Sequence, residues 1–319
     1  MKRILCITMI ICLLVPLLAA CAPDDTTIRI GVLSGPTAMG ALKMWSDGDA
    51  RYEFTLYASP DLLLPDIVAG KVDIAALPTN NAAAFYNSNG KDTQVIALNT
   101  LGVLYLLDAT GTVASLADLE GKTVYVPNAG SNPEYILRHI LDANGINATV
   151  ETSVVQPTAI QQGLLAGTIQ IAVLPQPAAT ATVVNAKANK QMDIASIDLS
   201  AEWNKIEETP IAQGCLLASA EFLDEHPRAV KEFLEKYEAS VAYMTAAENL
   251  DAAAELVVEK GILPKAAIAK QALPKCAITY VDGAEMKNTL DAFYRILYGY
   301  APQSIGGELP DDNFYYGAK

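Results

Sequence analysis

The residues of this 319-residue chain that could do chemistry are few, and most are uncharged. There are two histidines, His139 and His226. Neither has a second metal-ligating side chain at i+4 or a cysteine pair beside it, so zinc-type and triad chemistry lack their usual residue sets. Cys6, Cys12 and Cys21 lie near the N-terminus, which leaves Cys215 and Cys276 for the body of the protein. One pair in so long a chain is no disulfide framework, and two separate buried thiols are expected. What the sequence does place at regular positions is neutral hydrogen-bonding groups just after strand-like runs. Ser34-Gly35-Pro36-Thr37 follows Ile28 to Leu33, Thr79-Asn80 follows Val72 to Pro78, and Asn99-Thr100 follows Gln94 to Leu98. Asn128, Gly130 and Ser131 follow Thr123 to Val126, Gln176 follows Ile169 to Pro175, and Gln213 precedes the strand-like Gly214 to Ser219. Such groups bind by donating and accepting hydrogen bonds, and free N–H groups at a following helix start can hold a polar group. No Arg or Lys falls in these loops, whereas a carboxylate or sulfonate usually recruits Arg. The pattern points to a neutral heterocycle or polar metabolite. No acid/base pair stands out, so binding is expected here and not catalysis. Trp203 reads either as a ring to stack on a ligand or as ordinary packing.

The elements that must position these loops are announced by an internal duplication. Ile67-Val68-Ala69-Gly70-Lys71-Val72-Asp73-Ile74-Ala75-Ala76-Leu77-Pro78 matches Leu164-Leu165-Ala166-Gly167-Thr168-Ile169-Gln170-Ile171-Ala172-Val173-Leu174-Pro175 at a constant offset of 97. Pro60 meets Pro157 at the same offset, and each opens a helical run. Gly70 and Gly167 suit the left-handed position just past a helix. Each copy reads as strand, helix, strand, helix, strand, which builds a small parallel sheet with right-handed connections. In open sheets of this kind the ligand crevice lies beyond the strand C-termini, where the neutral loops fall. After Pro210 the sequence predicts helices over Glu221 to Met244, Leu250 to Lys260, Pro264 to Gln271 and Gly283 to Leu297, and a packed tail at Phe314-Tyr315-Tyr316. This half is expected to return to the first lobe.

The N-terminus carries a separate signal. Lys2 and Arg3 precede an uncharged apolar run from Ile4 to Ala20, which Pro16 interrupts. The run is shorter than the roughly 20 residues that a spanning helix prefers and reads as a signal peptide. It ends in Leu18-Ala19-Ala20-Cys21, which resembles the lipobox of bacterial lipoproteins. That resemblance implies a diacylglyceryl group on Cys21, enough acyl chain for stable membrane attachment, and a location on the extracytoplasmic face. The net charge is −14, or −16 without Lys2 and Arg3. A chain so acidic is unsuited to nucleic acid or an anionic membrane surface.

Several stretches together resemble solute-binding proteins of the nitrate/sulfonate/taurine and thiamine-pyrimidine-precursor group. These are Ile30 to Thr37, Gly70-Lys71-Val72-Asp73-Ile74-Ala75, Leu116-Ala117-Asp118-Leu119-Glu120-Gly121-Lys122-Thr123-Val124 and Phe222-Leu223-Asp224-Glu225-His226-Pro227-Arg228-Ala229-Val230. The resemblance implies an α/β type II periplasmic-binding fold, with a ligand cleft between two lobes. It also implies a monomer without a cofactor, which hands a small-molecule ligand to an ABC permease and its ATPase. The expected division is a signal peptide over 1–20, a tether over 21–27, lobe one over 28–107 plus 213–319, and lobe two over 108–212. A ligand-sensing lipoprotein that docks on a receptor, or an enzyme on the same fold, are the alternative readings. The pyrimidine-making synthase of that fold relies on a Cys-rich cluster that this sequence lacks.

Replacing Cys21 by Ser is expected to release the protein from membranes or stall its processing. Fractionation of expressing cells checks this, and unchanged membrane attachment would remove the lipobox assignment.

Overall fold

The structure is a computed structural model that describes residues 26–154 and 156–318. The apolar run and Cys21 lie outside the described residues.

The chain begins with β1 (Ile28–Leu33), α1 (Pro36–Met39), α2 (Leu42–Ser46), β2 (Tyr52–Tyr57), α3 (Pro60–Val68), β3 (Ile74–Pro78), α4 (Thr79–Ser88) and β4 (Thr93–Thr100). It then crosses to a second sheet through residues 101–103. There it forms β5 (Leu104–Asp108), β6 (Thr123–Tyr125), α5 (Asn132–Ala143), β7 (Thr149–Glu151), α6 (Pro157–Ala166), β8 (Ile171–Pro175), α7 (Ala178–Lys190), β9 (Ala195–Asp198) and α8 (Leu199–Trp203). A return crossing leads to β10 (Gly214–Ser219), α9 (Ala220–Glu225), α10 (Pro227–Thr245), α11 (Leu250–Glu259), α12 (Ala266–Ala272), β11 (Ile278–Val281) and α13 (Gly283–Tyr300).

The two sheets have one plan. The first runs β2-β1-β3-β10-β4-β11 and the second β7-β6-β8-β5-β9. The offset of 97 holds element by element. It relates the starts of β2 and β7, of α3 and α6, and of β3 and β8. In each sheet an antiparallel strand sits beside the third strand of the repeat: β10 pairs with β3 and β4, and β5 pairs with β8 and β9. That strand is the first the chain forms after arriving from the other sheet. The boundary expected between 107 and 108 is therefore displaced. Leu104 to Leu107 pair with β8 in the second sheet, because the chain has already crossed.

Packing explains why these apolar patterns close. One face of the first sheet (Ala75, Leu77, Val95, Leu98, Cys215, Leu217) buries against Tyr86, Phe293 and Tyr294. The same cluster continues through Trp203 to Leu106, Val124 and Val173 of the second sheet and to Ile136 and Ile140 of α5. The opposite face (Ile28, Ile30, Val32, Ile74, Ala76, Leu216) buries against Phe222, Val230, Phe233 and Tyr237. Cys215 and Cys276 are free, buried thiols, and burial pushes the Cys276 thiol up to about 12.

Two predicted helices are broken. Glu221 to Met244 is split at His226, which has φ −126° and ψ 47°. The residue before a proline is pushed out of the α region, and Pro227 has no N–H to donate back. The first helix of the first copy is divided into α1 and α2 around Gly40-Ala41. A Cβ on Gly40 would stand 2.7 Å from the Tyr237 hydroxyl of α10.

Gly70 and Gly167 both adopt positive φ, at 61° and 75°. Neither would have an atom within 4 Å of an added Cβ, so the constraint there is conformational alone. Gly70→Ala and Gly167→Ala are each expected to lower stability by about 1 kcal/mol, the cost of holding an L-residue in the left-handed region. Urea unfolding of both variants checks this, and unequal costs would show that the two turns are not equivalent.

Candidate functional site

Strand directions decide where the neutral loops go. β1 and β3 are parallel, and β4 runs with them because both β3 and β4 are antiparallel to β10. Leu33, Pro78 and Thr100 therefore end at one edge, and β10 enters there with Gly214 opposite Pro78 and Thr100. In the second sheet β6 and β8 end at one edge, and β5 enters there with Leu104 opposite Pro175. Both crossings thus run between the C-terminal edges of the two sheets, and the loops of both copies open toward them.

A continuous set of bonds ties this junction. Gln213 N–H donates to the Thr100 carbonyl at 3.0 Å, and Thr79 N–H donates to the Gln213 carbonyl at 3.2 Å. The Thr79 hydroxyl donates to the Ala212 carbonyl at 2.6 Å. The Tyr294 hydroxyl donates to the Thr79 carbonyl at 2.8 Å, and burial holds that phenol well above its ordinary range. From the second sheet, Gln176 N–H donates to the Val103 carbonyl at 2.8 Å.

Asn99 and Thr100 are not loop residues as expected. They are the last two residues of β4, and the pairing slips by one between Gly214–Thr100 and Cys215–Leu98. This bulge leaves Asn99 as the extra residue, which re-aims its side chain. The Asn99 amide donates to the Thr37 carbonyl at 3.2 Å and accepts from the Thr100 hydroxyl at 3.1 Å. Thr37 is buried, and its own hydroxyl donates to the Leu33 carbonyl at 3.5 Å. Gly214 makes the arrangement possible. A Cβ there would stand 2.6 Å from Thr37 Cγ2 and 2.7 Å from Asn99 Oδ1.

Other expected positions keep groups to spare. Asn80 is 6 % exposed, at the start of α4, and its side-chain amide has no partner among the described residues. Gln176 is 2 % exposed; its Oε1 accepts from Thr180 N–H, and its amide nitrogen has no partner among the described residues. Gln213 Oε1 is buried without a partner among them. Ser34, Asn128 and Gly130 are exposed, Gly35, Pro78 and Ser131 half-buried. Gly35 takes φ 149°, and Asn128 takes φ 58°, a left-handed conformation that asparagine tolerates. Gly130 N–H is spent on Glu134 Oε2 at 2.7 Å, and the Ser131 hydroxyl on the Pro127 carbonyl at 3.0 Å. Trp203 is fully buried, with its indole N–H on the Thr209 carbonyl at 2.7 Å and its ring 5.0 Å from His139, so it packs the core.

Residues 65–249 match the family model described as NMT1/THI5 like. The chain belongs to the NMT1/THI5-like family. Its fold is that of the type II periplasmic-binding proteins. An ABC transporter protein from Parabacteroides distasonis superposes with a TM-score of 0.76 at 24% identity, over 91% of this chain and 98% of that one. The periplasmic aliphatic sulphonate binding protein SsuA of Escherichia coli superposes at 0.71 with 14% identity, over 93% and 94%. The alkanesulfonate-binding protein SsuA of Xanthomonas axonopodis pv. citri, bound to MOPS, superposes at 0.64 with 14% identity, over 91% and 96%. No curated protein matches the sequence.

Asn132, the last residue of the predicted loop Asn128 to Asn132, opens α5; it is 2 % exposed, and both its amide atoms lack partners among the described residues. Two polar residues of this NMT1/THI5-like chain were not legible as candidates in the sequence. Thr180 lies in the first turn of α7 with a buried, unpartnered hydroxyl. Lys275 comes from the turn after α12, far along the chain, yet borders the same small cavity as Gln176 and Thr180. No local pattern could have found Lys275.

Gly214→Ala is expected to displace Asn99 or Thr37 and to cost about 1–3 kcal/mol, the usual range for forcing an extra methyl into a packed site. Chemical denaturation measures it. A variant as stable as the parent would show that the bulge is not held by this contact.

Proposed function

We propose that the protein is the solute-binding subunit of an ABC importer, lipid-anchored through Cys21 on the extracytoplasmic face of a bacterial membrane. It captures a small polar or heteroaromatic solute between two lobes, as a monomer without catalysis, and delivers it to a permease driven by an ATPase. The observation that carries this reading is the convergence of unsatisfied neutral amides on one junction. Asn80 and Gln213 come from the first sheet's edge, and Gln176 and Asn132 from the second's. A solute that both donates and accepts would satisfy them on closure. The solved proteins of like fold named for sulfonate binding support the transport role. In this reading the lobes comprise residues 28–103 plus 213–318 and residues 104–212.

Roles divide by bonding. Asn80, Asn128, Gln176 and Gln213 contact the solute, with Ser34, Gly35, Pro78, Gly130 and Ser131 forming the rim. Thr37, Thr79, Asn99 and Thr100 are bonded among themselves and to the crossings, and they hold the rim in place.

A buried donor or acceptor left unpaired costs roughly 1–3 kcal/mol. Asn80→Ala and Asn128→Ala are therefore expected to weaken solute binding about ten-fold or more with little change in stability. A thermal-shift screen of metabolites on the mature protein, followed by calorimetry with the best one, tests this. Unaltered affinity in both variants, with the fold intact, would overturn the assignment of these loops.

A further inference from the structure

We propose that the Asn89-Gly90 pair at the end of α4 is a self-modification site, where the protein ages by losing the Asn89 side-chain amide. The chain holds two Asn-Gly pairs, Asn89-Gly90 and Asn144-Gly145. In such a pair the glycine nitrogen can attack the asparagine Cγ, because no Cβ on the glycine shields the approach. The new N–Cγ bond closes an imide ring and the bond from Cγ to the side-chain nitrogen breaks. Ammonia leaves with the proton given up by the glycine nitrogen. Water then opens the ring at either carbonyl, which leaves aspartate or isoaspartate and one new carboxylate. Nothing beyond water is consumed.

Sequence does not separate the two pairs, but their bonding does. Asn89 follows α4 and Asn144 follows α5, and both glycines take positive φ, at 74° and 65°. At the second pair both reacting groups are occupied. The Asn144 amide donates to the Ile140 carbonyl at 2.8 Å, and Gly145 N–H donates to the Asp142 carbonyl at 3.0 Å. At the first pair both are open. The half-buried Asn89 side chain and Gly90 N–H have no hydrogen-bond partner among the described residues. Around Gly90 only Asp92 comes within 4 Å of an added Cβ, so the approach is clear. The next residue, Lys91, is held at φ 63°, a left-handed conformation unfavourable for an L-residue. The turn therefore gives up little when it rearranges for the attack.

The position matters because this end of α4 moors the C-terminal segment. The Tyr86 hydroxyl donates to Asp311 at 2.8 Å, and the Asn87 amide donates to the Ile305 and Glu308 carbonyls at 2.7 and 2.8 Å. Lys91 pairs with Glu308 and Asp311 at 3.1 and 3.2 Å. An isoaspartate at 89 adds a methylene to the main chain between α4 and Lys91. That displaces Lys91 N–H from the Tyr86 carbonyl, which it meets at 3.1 Å, and its ammonium from both acids. The new carboxylate also joins a turn already flanked by Asp92, Glu308 and Asp311, where like charges repel. None of this depends on the solute-binding reading.

The test incubates the mature protein at mildly alkaline pH and follows each Asn-Gly peptide over time by mass mapping, with enzymatic methylation of isoaspartate as a second readout. The expected result is loss of the amide at Asn89 about ten-fold faster than at Asn144, since two ordinary hydrogen bonds together hold back about a decade. In concentrated urea the two rates converge, because the difference lies in the fold. The melting temperature of the aged parent falls, and that of Asn89→Gln aged alongside does not, because glutamine must close a larger ring. Equal rates in the folded protein, a faster Asn144, or a ratio that urea leaves unchanged would overturn the proposal. Unchanged melting of the parent after Asn89 has converted would overturn its link to the C-terminal segment.

Discussion

The structure depends on how the backbone is satisfied where the chain passes between its two sheets. A crossing cannot use the ladder bonds of either sheet, yet its N–H and C=O groups lie among buried residues and must be paired. Here the two crossings and the ends of the strands pair with each other. Gln213 N–H reaches Thr100, Thr79 N–H reaches Gln213, the Thr79 hydroxyl reaches Ala212, and Gln176 N–H reaches Val103. The candidate residues around Asn80, Thr100, Gln176 and Gln213 all lie within a few residues of one of these bonds. The junction therefore sets which groups remain free to meet a ligand, because those bound to the crossings are already spent.

The duplication makes that junction two-sided. Each copy would end its sheet after three parallel strands, with β3 or β8 open along one side. Chain exchange fills the gap: β5 arrives from the first sheet to pair with β8, and β10 returns to pair with β3. Both insertions enter at the C-terminal edge, so the same act that completes each sheet brings the two edges together. The fit at β10 is tight. Gly214 and the bulge at Asn99 sit opposite each other, and Thr37 closes the third side.

Behind the junction, a second set of contacts joins the two sheets. Trp203 packs on His139 of α5 and on Phe293 of α13, with ring centroids 5.0 and 5.9 Å apart. His139 Nε2 meets Glu207 at 2.7 Å, and the Tyr300 hydroxyl at the end of α13 donates to Asp142 of α5. Trp203 and Phe293 belong to an apolar cluster that spans both sheets. Interiors packed at this density do not deform continuously.

The sequence by itself determined the repeated elements, because offset and period are local properties. Pro60 and Pro157 start helices, Gly70 and Gly167 end them, and Ile74–Pro78 and Ile171–Pro175 are buried strands, all readable from spacing and residue type. It also determined that the loops at the edge are neutral. Tertiary structure alone decided which of those neutral groups stay free. Asn99 and Asn80 look alike in the sequence, but a slipped register spends the amide of Asn99 on Thr37 and leaves that of Asn80 open. It decided equally that Lys275 stands beside Gln176 and Thr180, and that Leu104 to Leu107 serve the second sheet. These outcomes turn on pairings between residues far apart in the chain, and hydrogen-bond competition at such contacts leaves no periodic trace in the residues on either side.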